Sequence, residues 1–183
     1  MKRILIVVDM QTDFVDGALG TPEAVAILPA VAEKIKTYAA DPDGVIFVTF
    51  DTHADSYMET SEGKHLPVPH CIKGTAGWEL HPAVTAALEG VDYTPVEKPT
   101  FGSTELPALV GKAAAGEDFS LELIGLCTDI CVASNALILK AAFPEASVSV
   151  DSLACAGVTP ASHDAALTTM RMCQVEVAEG GGI

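Results

Sequence analysis

The hydrophobic pattern of the chain switches repeatedly between two periods. Lys2 to Val8 and VIFVTF (45–50) are continuous β-rich runs without alternation, the pattern of strands covered on both faces. LELIGL (121–126) and ASVSV (146–150) extend the series, and TPVE (94–97) is a shorter run of the same kind. Between them, PEAVAILPAVAEKIKTYAA (22–40), HPAVTAALEG (81–90), ICVASNALILKAAF (130–143) and SHDAALTTMRMC (162–173) carry helical patterns. Strands alternating with helices of this length predict an α/β fold with a mainly parallel sheet. Ligands of such sheets gather beyond the carboxyl ends of the strands. The residues placed there are Asp9, Asp51 with His53, and the segment from Cys127 to Cys131.

The segment 51–78 breaks the pattern. It has no clear period, is longer than most connections and holds three of the 5 histidines, which marks it as a functional loop or an insertion. The glycines at 180–182 are expected to fray.

Composition narrows the class. A chain of 183 residues with 49% hydrophobic and 19% charged residues is expected to fold as a single domain spanning 1–183. Acidic residues outnumber basic ones, 25 to 10, for a formal charge of −15. Such a surface is repelled by phosphate backbones and anionic membranes, so neither nucleic acid nor membrane is an expected partner. Asp9 ends the first apolar run well short of a signal-peptide core, and no run reaches transmembrane length. A cytoplasmic location is expected, with the 5 cysteines as free thiols.

GLCTDICVASNALILKA (125–141) concentrates the candidate chemistry. Cys127 and Cys131 are separated by three residues, which fails the thioredoxin-like spacing, and the other cysteines are scattered too singly to complete a structural zinc site. Cys131 falls at a helix start, where the macrodipole favours a thiolate. A small buried apolar residue would suit the same position. Asp9, in VVDMQTDF, is either a turn residue or a general base whose pKa burial would raise. Lys98, in VEKPTFGST, is either solvated or a buried ammonium that would stabilise a thiolate. Phe14 and Phe101 offer flat apolar walls, though either could be core. Asp51 and His53 share one face of an extended segment, with Glu62, His65 and His70 downstream. Carboxylate and imidazole together suit zinc, iron or manganese.

Taken in order, VVDMQTDF, TFDTH with its downstream Glu and His, EKPTFGS and GLCTDICV resemble the nicotinamidase and isochorismatase-like cysteine hydrolases over residues 4 to about 160. The resemblance implies a three-layer α/β/α fold around a six-stranded, mainly parallel sheet. It implies a catalytic triad of Asp9, Lys98 and Cys131, and one divalent metal ion, zinc first and iron or manganese next, on Asp51, His53, Glu62 and His70. His65 competes with Glu62 for the fourth ligand position. A non-proline cis bond is implied between Leu126 and Cys127, with the amides of Cys127 and Cys131 forming an oxyanion hole and Asp129 holding the turn. Phe14 and Phe101 then become substrate walls.

The implied reaction is hydrolysis of a small amide, nicotinamide first, through a thioester. Isochorismatases proper cleave a vinyl ether without a nucleophile, so Cys131 argues against them. An amidohydrolase of carbamoyl or ureido compounds is the alternative, and a non-catalytic metal-binding scaffold is the reading from another class. Association into homo-oligomers is common in the family and is expected here on that ground alone.

Overall fold

The computed structural model describes residues 1–179, so the glycine tail at 180–182 lies outside the described residues. In chain order, β1 (Lys2–Val8) leads into α1 (Thr12–Val15), α2 (Pro22–Ala26) and α3 (Leu28–Ala39). Next come β2 (Gly44–Asp51), α4 (Ser61–His65), α5 (Pro82–Ala87), β3 (Thr94–Lys98) and α6 (Leu106–Ala114). β4 (Phe119–Leu126), α7 (Ala133–Ala142), β5 (Ser147–Ala156), α8 (Pro160–Met172) and β6 (Glu176–Ala178) complete the described chain.

The strands form one six-stranded sheet in the order β3-β2-β1-β4-β5-β6, with every pairing parallel. The unbroken apolar runs follow from that arrangement, because alternate residues enter two separate cores. Leu5, Val7, Val48 and Ile124 face Val31 and Ile35 of α3 and Val84 of α5. Ile4, Ile6, Leu123 and Val150 face Val110 of α6, Leu139 of α7 and Met170 of α8. Each such fully buried aliphatic side chain contributes roughly 1.5–3 kcal/mol relative to exposure. Among the described residues no helix is long and apolar enough to cross a membrane.

Several elements depart from the hydrophobic pattern. The helix predicted over 22–40 is two helices meeting at Ile27, because Pro29 has no amide to continue the hydrogen-bond ladder. The strand predicted to stop at 150 runs to Ala156, with a register shift opposite Leu123/Gly125. There the Asp151 carboxylate accepts from the Leu153 amide at 3.0 Å, which interrupts the apolar run without ending the strand. α6 and the short edge strand β6 have no counterpart among the predicted elements.

The chain winds outward from β1 to β3 and then returns to place β4 on the other side of β1. This reversal opens a crevice beyond the carboxyl ends of β1 and β4, where α/β sheets bind their ligands.

Candidate active site and metal group

Asp9 stands at that crevice, directly after β1, and its backbone is left-handed at φ 47. Aspartate tolerates this region better than most residues, but it persists only where surrounding contacts enforce it. Thr49 on β2 supplies two of them: its hydroxyl accepts from the Asp9 amide at 3.2 Å and donates to Asp9 Oδ1 at 2.6 Å. Across the crevice, the backbone of Gly125 leaves no room for a side chain, since an added Cβ would fall 2.2 Å from the Val8 carbonyl oxygen. A glycine is therefore required for β4 to run this close to β1.

Lys98 ends β3 with its side chain wholly buried. Its Nζ lies 2.6 Å from Asp9 Oδ2 and donates to Asp51 Oδ1 at 3.2 Å and to Cys131 Sγ at 3.5 Å. The Asp9 contact is an ion pair without hydrogen-bond alignment, for Oδ2 accepts no hydrogen bond among the described residues.

Cys131 lies in a single π-helical turn, Thr128–Val132, between the cis peptide Leu126–Cys127 and α7. Both the Ile130 and Val132 amides donate to the Cys127 carbonyl, at 3.0 and 3.1 Å. The helix start does not by itself make a thiolate. Burial pushes the Cys131 thiol well above its usual range, the Asp9 charge adds to that, and Lys98 opposes it without prevailing. Asp9 is likewise pushed up by burial, with Lys98 pulling it back. Lys98 behaves oppositely, because two carboxylates and the sulfur hold it protonated against the cost of burial. A neutral thiol, a buried carboxylate and a fixed ammonium therefore meet in one buried cluster.

A second group adjoins the first through Asp51. One ligand-type atom from each of Asp51, His53, Glu62 and His70 lies within 4.8 Å of all the others. His53 Nε2 is 2.9 Å from Asp51 Oδ2 and 3.7 Å from Glu62 Oε1, while His70 Nε2 is 3.6 and 3.7 Å from the same oxygens. These spacings bracket the ~3.3 Å between donors of a tetrahedral site with bonds of ~2.0–2.1 Å. His70 Nδ1 donates to the Val68 carbonyl at 2.8 Å, which leaves the Nε2 lone pair facing the group. Burial and the charge of Asp51 push the Glu62 carboxyl up. Burial opposes ionisation of Asp51, but the His53 contact at 2.9 Å, the neighbouring His70 imidazole and the Lys98 charge outweigh it and hold the carboxyl well below the usual range. A buried carboxylate, a partly buried one and two convergent imidazoles favour an added cation, so the donor set fits a divalent metal. His65 is not in this group. It is exposed, and its Nδ1 donates to the Ser61 carbonyl at 2.7 Å.

The loop is folded onto β2 by an isolated bridge between His53 and Ile72. The His53 amide donates to the Cys71 carbonyl at 3.0 Å, and the Cys71 amide donates to Asp13 Oδ2 at 2.8 Å. The imidazoles are packed by aromatic rings, Phe14 lying 5.3 Å from His70 and Tyr57 4.8 Å from His53. Phe101, by contrast, is 41% exposed, so its ring faces the surface.

Gln11 and Asn135 make positioning contacts that the sequence did not single out. Gln11 clamps the backbone of Asp51, accepting from its amide at 2.7 Å and donating to its carbonyl at 2.9 Å. Asn135 donates to the Cys131 carbonyl at 2.8 Å and to the Phe101 carbonyl at 3.2 Å, joining the cysteine turn to the loop after Lys98. Asp129 Oδ1 accepts from the Val158 amide at 3.0 Å, so that side chain ties its turn to the loop before α8.

Residues 3–180 match the isochorismatase domain. The nicotinamidase/pyrazinamidase of Mycobacterium tuberculosis is 31% identical over 186 residues, covering 96% of this chain and 97% of that protein. The crystal structure of a nicotinamidase/pyrazinamidase from Bacillus subtilis superposes with a TM-score of 0.84 at 26% identity, covering 98% of this chain and 100% of that one. The pyrazinamidase of Pyrococcus horikoshii, solved in complex with zinc, superposes with a TM-score of 0.79 at 24% identity, covering 98% and 100%.

Proposed function

The chain belongs to the isochorismatase family, and from that premise we propose that it is a nicotinamidase, hydrolysing nicotinamide to nicotinate and ammonia through a thioester on Cys131. The observation that carries the reading is the shared carboxylate of Asp51. One of its oxygens accepts from Lys98 of the cysteine pocket, and the other faces the imidazoles of the metal group. A substrate bridging both would need a carbonyl at one end and a metal-seeking lone pair at the other. Nicotinamide has both, and relatives named for that activity support the choice.

Asp9 Oδ2 takes the thiol proton as sulfur attacks the amide carbon, forming the C–S bond and moving the carbonyl π pair onto oxygen. The amides of Cys127 and Cys131 receive that oxygen, a term worth several kcal/mol in comparable sites. Collapse restores the carbonyl and breaks the C–N bond, while Asp9 returns its proton to the departing ammonia. Asp9 then deprotonates a water that attacks the thioester, releasing the acid and regenerating the thiol. Lys98 holds the sulfur and both carboxylates in register throughout and compensates each transient negative charge. Phe14 stacks on the substrate ring, and Phe101 closes the pocket from the surface. Asp51, His53, Glu62 and His70 would hold the divalent ion, zinc first, which would supply Lewis-acid chemistry for binding and orienting the substrate ring.

Ammonia release from nicotinamide tests the reading. The Cys131→Ala variant is expected to lose on the order of 10⁴-fold or more in kcat. Cys127 contributes only its backbone, and burial and the Asp129 charge push its thiol up to about 12, so Cys127→Ala should keep most of the activity. Equal release by wild type and Cys131→Ala would sink the nucleophile. Wild-type turnover of carbamoyl or ureido compounds without nicotinamide would replace the substrate.

A further inference from the structure

The turn carrying Cys127 and Cys131 is held from a side that the proposed chemistry does not use. Thr128, between the cis peptide and the nucleophile, is completely buried, and its hydroxyl is hydrogen-bonded to His163 Nδ1 at 2.8 Å. His163 sits in the first turn of α8, a helix start that is itself unusually well fixed. Thr159 and Ser162 form a reciprocal capping box there, and Pro160 occupies the first turn. Gly157 lets the preceding loop lie against this helix, since an added Cβ would fall 2.9 Å from the His163 amide nitrogen. One residue on, the Val158 amide donates to Asp129. The residues on either side of the turn's first peptide, Thr128 and Asp129, are thus anchored to the start of α8 and to the loop leading into it.

We propose that His163 is a positioning residue for the reaction: through Thr128 it fixes the amides of the 127–131 turn where the oxyanion forms. The proposal rests on the cysteine-hydrolase reading above. Backbone amides cannot be re-aimed by rotating a side chain, so their placement depends on what clamps the peptide. The Cys127 carbonyl bonds act from within the turn, whereas the His163 contact acts from outside it. A displacement of ~1 Å in such a site costs on the order of 10²-fold in rate.

The test compares wild type with His163→Ala, His163→Asn, Thr128→Val and Thr128→Ser. Three readouts are taken: turnover of nicotinamide, affinity for pyridine-3-carbaldehyde, and alkylation of Cys131 by iodoacetamide. The aldehyde adds the thiol across its C=O bond and places the resulting oxygen at the turn amides. Alkylation forms a C–S bond with loss of iodide and makes no oxyanion.

His163→Ala and Thr128→Val should lower kcat by about 10- to 100-fold, less than the ~10²–10³ lost with an oxyanion donor itself. KM should stay within twofold, aldehyde affinity should fall in parallel with kcat, and alkylation should be unchanged. His163→Asn and Thr128→Ser, which keep a polar partner, should recover most of the loss. A kcat of His163→Ala within twofold of wild type would overturn the proposal. So would a loss of kcat in which alkylation falls equally or aldehyde affinity does not move. If wild type releases no ammonia from nicotinamide, the substrate reading falls, and the aldehyde affinities of the same proteins still decide the role of His163.

Discussion

Two lysines in this molecule are each flanked by two carboxylates. Lys98 lies 2.6 Å from Asp9 and 3.2 Å from Asp51, and Lys34 of α3 lies 2.7 Å from Glu122 and 3.0 Å from Asp151. The ingredients are the same, and the settings differ. Lys34 keeps 17% of its side chain exposed, and it lines an open groove of about 1270 Å³ between α3 and the β4–β5 face. Glu122 and Asp151 point from strand positions, and no thiol joins them. Lys98 has no exposed side-chain surface, its partner Asp9 sits on left-handed backbone with an unbonded carboxylate oxygen, and a cysteine completes the cluster. A lysine flanked by two carboxylates is therefore no sign of catalysis by itself. What sets the Lys98 cluster apart is the complete burial of its ammonium, the enforced backbone of Asp9 and the adjacent thiol at the strand ends.

The sharpest way to break the comparison is to remove each ammonium. Lys98→Met leaves Asp9 and Asp51 buried without their shared cation. Uncompensated buried charge costs about 3–5 kcal/mol of stability, and kcat should fall by at least about 10²-fold, as for loss of a fixed electrostatic donor. Urea unfolding and ammonia release measure the two effects. A stable, active Lys98→Met protein would mean that the Lys98 cluster is no different in kind from that of Lys34.

Asp9, Asp51, His53 and Cys131 stood out in the sequence because they follow apolar runs at strand ends, and His70 through the concentration of histidines in the loop 51–78. The positioning residues had no such contrast. Thr49 reads as one more β-former in VIFVTF, and its bond to Asp9 becomes visible only when β1 and β2 are paired in parallel. Gln11 reads as a turn residue until residue 51 is placed beside it. His163 is separated from Thr128 by 35 positions, so only the packing of α8 against the cysteine turn relates them. Pro29 carries a signal for the split at Ile27 that the single helix predicted over 22–40 passes over, whereas β6, three residues long on the sheet edge, carries too little pattern to detect.

The metal group sharpens the comparison on its other side, because Asp51 belongs to both clusters. Glu62→Ala removes one convergent oxygen and should lower metal affinity by at least about tenfold, a loss that even ligand-orienting residues produce. His65→Ala, on the exposed end of α4, should leave metal content unchanged. Metal analysis of both purified proteins separates them. Retained metal in Glu62→Ala with loss in His65→Ala would exchange their assignments.

The smallest effect belongs to Lys34, where the sign can be worked through. Burial lowers its pKa, but the hydrogen bonds and charges of Glu122 and Asp151 outweigh burial and raise it above its ordinary value. A lysine raised on folding adds stability that is fully present below its unfolded pKa of about 10.4 and is lost as pH climbs through the folded value. Because the side chain is partly solvated, screening keeps the contribution near ~1 kcal/mol. The Lys34→Met protein should therefore be less stable than wild type by about that amount at pH 8, with unaltered kcat. The gap should narrow above about pH 10.4 as wild type loses the same charge. Lys98 titrates in both proteins and cancels in the difference. A stability gap constant from pH 8 to 11.5 would show that the Lys34 contribution is not its charge, and a fall in kcat at pH 8 would show that the Lys34 cluster is coupled to the active site after all.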